Sequence, residues 1–382
     1  MDRIEVHEFA QLMSHRDPYC VSLYMPTHPV GPDAQQDAVM LKNLVDEAET
    51  LLVRHGMRTA EARQLVQPLR ELPQDPVFWM HRSRGLAAFV APNRSRILRV
   101  DCDFTPQVVV NRRFHVKQLL PLLENLDYFV LDLNRHGPNL FRGDRFRLEK
   151  VEVPNMPGRF EEFLDYVPPD GGTQWHSAAA VPLGKKQSAV FHGQGGLRET
   201  VKEDVVKYLR QVDAAIEPLL NQHAPLVVAA VESMVPLFRS VCRYPHLLSE
   251  WIPGNAEHWN ETVLHQKSWP LVAKLLQQRR TAAVERFRQW HGTGKATDNI
   301  REVVPAAATG KVDTLLVYPP AQIWGTYDEQ QNVVHTDGEA RPGDDDLVDL
   351  AVHQTLAHAG SVIPMPKDEM PTGSPVAAVF RY

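Results

Sequence analysis

The sequence predicts an α/β protein of several domains, and three observations carry that prediction. The chain is 382 residues long, which at about 100–200 residues per domain makes two or three domains. Short apolar runs of strand type, such as 128–133 and 312–317, alternate with segments whose apolar residues recur at helical spacing. The composition is 43% hydrophobic and 23% charged, which suits a packed globular chain and excludes wholesale disorder.

The first third mixes both element types. Val21, Leu23 and Met25 alternate with Ser22 and Tyr24 and stop at Pro26, as a strand does. Between residues 33 and 55, Val39, Leu41, Leu44, Val45, Ala48, Leu51 and Leu52 fall at helical spacing, and Gly56 stands where a C-cap is expected. A second helix is predicted over 59–72, closed by Pro73. Residues 85–90 and 95–100 read as a hairpin turning at Pro92-Asn93. A short strand at 107–110 and a short helical stretch at 116–123 follow, with a boundary near Glu124.

The middle third opens on 128–133, a run of buried-strand type. Residues 139–142 and 146–153, joined at Gly143-Asp144, complete an antiparallel meander. Residues 154–186 read as a long irregular tract of functional type, and 188–191 as a strand. A helix is expected after Gly195-Gly196 as far as about Gln222, then a buried strand over 225–231 and helices over 234–241 and 262–290. His291-Gly292-Thr293-Gly294 reads as a linker. The last third holds a helix at 298–308, a strand at 312–317, an acidic loop at 337–346, an amphipathic helix at 347–358 and strands at 361–363 and 377–380. This alternation over about ninety residues predicts a compact α/β sandwich.

Charge and motifs exclude several functions. The net charge is −6, against a general binder of naked nucleic acid, whose affinity comes from many phosphate contacts. Cys20, Cys102 and Cys242 stand far apart and form no CxxC pair, so no cysteine zinc site is expected and a reducing compartment is. Residues 1–8 hold no apolar signal core and no run is long enough to span a bilayer, so the expected address is the cytoplasm, away from membranes. Gly292-Thr293-Gly294-Lys295-Ala296 lacks the first glycine and the magnesium-binding hydroxyl of a phosphate loop. Gly193-Gln194-Gly195-Gly196 has the wrong spacing for a dinucleotide fingerprint, and no GxSxG elbow occurs. No cofactor or metal is expected, and nothing fixes an oligomeric state.

One segment stands out: Phe191-His192-Gly193-Gln194-Gly195-Gly196-Leu197-Arg198, between a predicted strand and a predicted helix. Its three glycines let the backbone approach a ligand closely, and the following helix start presents N–H groups to anions. Two basic clusters accompany it. Arg112, Arg113, His115 and Lys117 precede the first boundary. Lys274, Arg279, Arg280, Arg286 and Arg288 lie on the late helix, which ends in Trp290. Both read mostly as solvated faces paired with local acids, with RNA phosphates as the functional alternative. Asp344-Asp345-Asp346 reads as a solvated helix start.

The whole chain resembles the bacterial branch of the archaeo-eukaryotic class-I translation release factor family, relatives of Pelota. Gly310-Lys311-Val312-Asp313-Thr314-Leu315-Leu316-Val317, residues 346–351 and 355–360, and the ending 377–382 are similar to the family's third domain, which has the fold of kink-turn-binding ribosomal proteins. The meander, the His-Gly-rich segment and the long helix resemble the RNase-H-like second domain. Ser22-Leu23-Tyr24-Met25-Pro26-Thr27-His28 is similar to the N-terminal domain of the bacterial branch. The resemblance implies three domains, 1–124, 125–291 and 292–382.

Release factors carry the sequence Lys-His-Gly-Arg-Gly-Gly-Gln in the middle domain, and its last glutamine helps place the water that cleaves peptidyl-tRNA. Here Phe191 falls at the lysine, Gln194 at the arginine and Leu197 at that glutamine, while His192, Gly193, Gly195 and Gly196 match. Leucine has no amide to orient a water. The resemblance therefore implies a ribosome-associated protein of rescue, hibernation or stress that acts by binding, as Pelota does. It would meet rRNA or tRNA through His192, Gly193, Gln194, Gly195, Gly196, Arg198, Arg279 and Arg280. Two alternatives stand beside it: a peptidyl-tRNA or ester hydrolase using Gln194 or His192, and a non-ribosomal interaction protein on a reused scaffold.

Overall fold

The computed structural model describes residues 2, 4, 6–28, 36–80, 83–123, 127–134, 136–159, 195–220, 224–254 and 259–382, with the backbone alone at 6, 76 and 195–202. The architecture is mixed α/β and multi-domain. The chain folds into two compact units, one of Met1–Asn125 with Leu276–Tyr382 and one of Leu126–Leu275.

The first unit begins with helix α1 (Val6–Ser14), strand β1 (Arg16–Pro26) and helices α2 (Asp37–Arg54), α3 (Thr59–Glu71) and α4 (Pro76–Met80). Strands β2 (Gly85–Ala91), β3 (Arg94–Val100) and β4 (Gln107–Arg113) and helix α5 (Leu120–Leu123) follow. The strands form an antiparallel sheet in the order β3-β2-β1-β4. Val21, Leu23 and Met25 of β1, with Leu86, Ala88 and Val90 of β2, pack against Leu41, Val45, Ala48 and Leu52 of α2 and Val66 and Leu69 of α3. Gly56 takes φ +99°, which ends α2 as its position predicts.

The intervening residues of β1 are buried too. The Tyr24 ring meets Phe89 and Phe104 edge-on. Its hydroxyl donates to the His115 carbonyl at 2.6 Å, and the Ser22 hydroxyl accepts from the His115 N–H at 2.9 Å. The 114–117 segment is thereby fastened to the face of the sheet that α2 and α3 do not cover.

The second unit holds β5 (Tyr128–Asn134), β6 (Gly137–Gly143) and β7 (Leu148–Val151), then α6 (Gly195–Ile216), β8 (Leu226–Ala230), α7 (Met234–Val241) and β9 (Ile252–Pro253). Helix α8 (Glu261–Trp290) begins there and runs past the 275/276 division. The sheet order is β7-β6-β5-β8-β9, antiparallel through the first three strands and parallel through the last three. Phe129, Leu131 and Leu133 pack on Leu209 and Val212 of α6 and Phe238 of α7. Tyr128 and Val130 pack on the other side with Leu264 and Val272 of α8. Residues on both sides of β5 and β8 are apolar, as the continuous apolar runs at 128–133 and 225–231 predict. Of the expected irregular tract, 154–159 is described and irregular. The rest of it and the expected strand at 188–191 lie outside the described residues. Helix α6 starts at Gly195, at the glycine pair itself rather than after it, and ends at Ile216 rather than near Gln222.

The C-terminal part of the first unit contains β10 (Ala296–Thr297), α9 (Ile300–Ala308), β11 (Val312–Val317), β12 (Trp324–Asp328), β13 (Val333–Thr336), β14 (Asp345–Asp346), α10 (Leu347–Ala357), β15 (Ser361–Pro364) and β16 (Val376–Phe380). One sheet has the order β10-β16-β11-β15 and a smaller one the order β13-β12-β14. Leu316, Ala377 and Val379 pack against Val284 and Phe287 of α8. Helix α9 packs against β11 and β16, and α10 against β11 and β15. The sequence reading missed α1 and the β12–β13 hairpin. The hairpin strands are short and largely polar on their outer side, and their turn through Asn332 (φ +56°) holds no glycine. No helix among the described residues is long and apolar enough to cross a membrane.

The hairpin depends on Gly325, where a Cβ would stand 2.0 Å from the His335 carbonyl oxygen across the strand pair. Gly325→Ala should lower the stability of the first unit by about 1–3 kcal/mol or more, read as a shifted midpoint in urea denaturation; an unchanged midpoint would refute this close approach.

Candidate functional site

The structure treats the residues singled out from the sequence in three ways. His192, Gly193 and Gln194 lie outside the described residues. Gly195, Gly196, Leu197 and Arg198 form the first turn of α6, where the backbone alone is described. Arg279 and Arg280 are on α8, Arg279 exposed and Arg280 half-buried. Arg280 lines a cleft of about 230 Å³ with Cys102, Gln118, Pro121 and Tyr318.

The basic cluster at 112–117 and the acidic run at 344–346 are corrected. Arg112 is exposed, but Arg113, His115 and Lys117 are buried, where the sequence reading has them facing solvent. Their partners are acids about 230 positions away, not local ones. Arg113 bonds Asp345 through one amino group and Asp349 through the other, the latter at 3.2 Å. The Asp349 carboxylate also accepts the backbone N–H groups of Val116 at 2.8 Å and Lys117 at 3.0 Å. Lys117 Nζ donates to the Asp346 carboxylate and to the Ala321 carbonyl. The Asn111 amide donates to Asp345 at 2.7 Å, and His115 Nε2 lies 3.4 Å from the same carboxylate. Asp346 does start helix α10, accepting the Val348 N–H at 3.0 Å, but its side chain is fully buried.

Local sequence explains the placement. The β4 strand carries Asn111 and Arg113 to the end of its sheet, and Ser22 and Tyr24 hold the chain beyond it. On α10, Asp349 and His353 are one turn apart and so share a face. Burial raises the Asp349 carboxyl, but His115, Arg113, His353 and Lys117 outweigh it and hold the group at about 2. Asp345 is likewise held below its ordinary value, since Arg113 and His115 outweigh its burial. Burial chiefly lowers the His353 imidazole to about 4, against the pull of Asp349, so this ring is neutral at pH 7. Its Nε2 is buried with no hydrogen-bond partner among the described residues.

Beside this network lies a polar cleft of about 940 Å³ within the first unit. Arg16 and Tyr19 of β1, Arg54 at the end of α2, Arg112 and Arg113 of β4, Tyr327 of β12 and His353 of α10 are among its lining residues. The sequence signals for these residues are scattered across some 340 positions, and no spacing rule joins them. Nor does the charge pattern of 113–117 or of 344–349 distinguish a buried partnership from two solvated faces.

Two outcomes follow for the network. Asp346→Asn leaves the Lys117 ammonium buried without its counter-charge and should cost about 3–5 kcal/mol in urea denaturation. Adding Lys117→Met should recover most of that loss, and a double variant no more stable than the single one would disprove the pairing. The pH dependence has a definite sign. His353 falls from an ordinary 6.5 to about 4, so its unfolded form binds the extra proton between these values. Its contribution is present above 6.5 and is lost as pH falls toward 4; Asp349 repeats this from 3.8 down to about 2. Asp132 in the other unit has the opposite sign. Its burial, outweighing hydrogen bonds from Asn134 and Asn139, raises it to about 6, so its stabilisation is lost as pH rises from 3.8 through 6. The wild type minus His353→Asn difference isolates the histidine, and it should shrink between pH 7 and 5.

Comparison with known proteins places the middle of the chain. No curated protein matches the sequence. Among solved structures, the chain is similar to the archaeal translation termination factor aRF1, at 16% identity over 100% of this chain and 99% of that one, with a TM-score of 0.24. It is similar to Pelota of Archaeoglobus fulgidus at 12% identity over 78% and 79%, TM-score 0.29, and to Dom34 of S. cerevisiae at 12% over 77% and 74%, TM-score 0.39. Residues 127–311 match the family model for bacterial archaeo-eukaryotic release factor family 3. The resemblance read from the sequence thus stands on that match: residues 127–311 are similar to the bacterial archaeo-eukaryotic release factors of family 3.

Proposed function

We propose that this protein is a release-factor-like, translation-related factor that associates with the ribosome and acts there by binding, in rescue, hibernation or stress. The observation that carries this reading is the family match over residues 127–311, a span that contains the Gly-rich segment. Within it, Leu197 stands in the first turn of α6, at the position that the resemblance gives to the water-placing glutamine. A leucine side chain carries no donor or acceptor, so hydrolysis by the family's route has no agent at that position. The strand order β7-β6-β5-β8-β9, with its antiparallel and parallel halves, agrees with the RNase-H-like middle domain that the resemblance implies. The domain division 1–124, 125–291 and 292–382 and a cytoplasmic address belong to the same reading.

On this reading rRNA or tRNA is met by the segment from His192 to Gly196 with Arg198, and by Arg279 and Arg280 on α8. A net charge of −6 requires the cationic groups to act locally, and such contacts weaken as salt rises.

Sedimentation of the full chain with ribosomes from growing and stressed cells tests this. The expected result is co-sedimentation from at least one source, reduced several-fold by Arg198→Glu combined with Arg279→Glu. Absence from every ribosomal fraction would refute it. A peptidyl-tRNA release assay should show no activity; release that Gln194→Ala or His192→Ala abolishes would replace binding by hydrolysis.

A further inference from the structure

The cleft of about 940 Å³ in the first unit has a chemistry that the release-factor reading does not use. We propose that it is a nucleotide site, taking a nucleoside phosphate with its phosphates on Arg54, Arg112 and Arg16 and its base against Tyr19 or Tyr327.

Charge gives the first argument. Arg54 and Arg112 are exposed at the cleft and have no carboxylate partner among the described residues. The Arg16 guanidinium donates to the carbonyl oxygens of Met13 at 2.7 Å and His15 at 2.9 Å, and no acid among the described residues bonds it. The acids lining the cleft are largely committed. Asp345 is held by Arg113 and Asn111, and Asp344 accepts the Arg341 N–H at 2.9 Å. Glu329 is exposed at the same cleft. Arg54 and Arg112 without a carboxylate partner, and Arg16 bonded only to neutral carbonyls, against one exposed carboxylate favour an anion, and the planar forks suit phosphate oxygens.

Burial gives the second. His353 is 5% exposed and lines the cleft, and its Nε2 has no hydrogen-bond partner among the described residues. A buried polar atom left unpaired is costly, and a neutral imidazole serves a ligand hydroxyl or phosphate oxygen as donor or acceptor. Asp349 and Arg113 fix the helix and the strand that carry the cleft wall at this point, so the site is held before a ligand arrives.

Aromatic surface gives the third, and it separates a nucleotide from inorganic phosphate. Tyr19 and Tyr327 both line the cleft and both are half-buried. The Tyr327 hydroxyl is engaged by Asn332 at 2.7 Å. A ring fixed in this way offers its face, and faces of this kind stack on bases without regard to sequence. The volume suits a ligand of nucleotide size.

The inference is independent of the ribosomal reading, because no residue of the Gly-rich segment or of α8 enters it. The test is isothermal titration calorimetry of the full chain with ATP, GTP, AMP, pyrophosphate and a short single-stranded RNA. At least one mononucleotide should bind with a micromolar constant. Arg54→Ala and Arg112→Ala, both at exposed positions, should each weaken it about tenfold with an unchanged thermal midpoint. Tyr327→Leu should weaken nucleotides but not pyrophosphate. The proposal is overturned if no mononucleotide binds, if pyrophosphate binds as tightly as the nucleotides, if RNA binds and mononucleotides do not, or if the two arginine variants bind as the wild type does.

Discussion

Buried charge governs the first unit. Arg113, Lys117, Asp346 and Asp349 lie almost wholly out of water, and removing an ion from water costs several kcal/mol even after relaxation. The arrangement survives because the cations donate to fixed carboxylates and a carbonyl, and the carboxylates receive cations and backbone N–H donors. Asp349 alone receives two backbone N–H groups and a guanidinium. Such a network tolerates little displacement, since moving one member strands another in a medium that solvates it poorly. The same bonds set where β4, β14 and α10 stand, and with them one wall of the adjoining cleft.

The N-terminal sheet shows how such a network is accommodated. One face of β1 is apolar and meets α2 and α3 in an ordinary packed layer. The other face carries Ser22, Tyr24 and the aromatic group around Phe89 and Phe114, which combines apolar bulk with hydroxyls that secure the 114–117 backbone. A strand buried on both faces thus divides its work by parity: odd positions supply packing, and even positions direct a polar segment.

Much of this architecture is legible in the sequence. The apolar runs at 128–133, 225–231 and 312–317 become the buried strands, and the periodicity of residues 39–52 becomes the covered face of α2. The helix-ending role of Gly56 is visible because only a residue free of Cβ strain takes φ near +99° readily. The hairpin of β12 and β13 is not legible, because its strands are short and its alternation weak. Nor is the fate of the charged clusters. Arg113 and Asp345 are 232 positions apart, and a one-dimensional charge pattern reads solvation wherever acids and bases are dense. Arg112 and Arg113 are neighbours of identical type, yet strand alternation sends one to solvent and the other into the network.

The separation between these partners has a consequence for the growing chain. When Arg113 is added to the growing chain, its carboxylate partner is still 232 residues from synthesis. At roughly 5–20 residues per second that is a delay of about 10–50 seconds. Through that interval the nascent N-terminal sheet has a cationic segment fastened to one face and nothing to neutralise it. The first unit is therefore a structure whose beginning waits for its end: the counter-charges of its N-terminal sheet come only with residues 345–349.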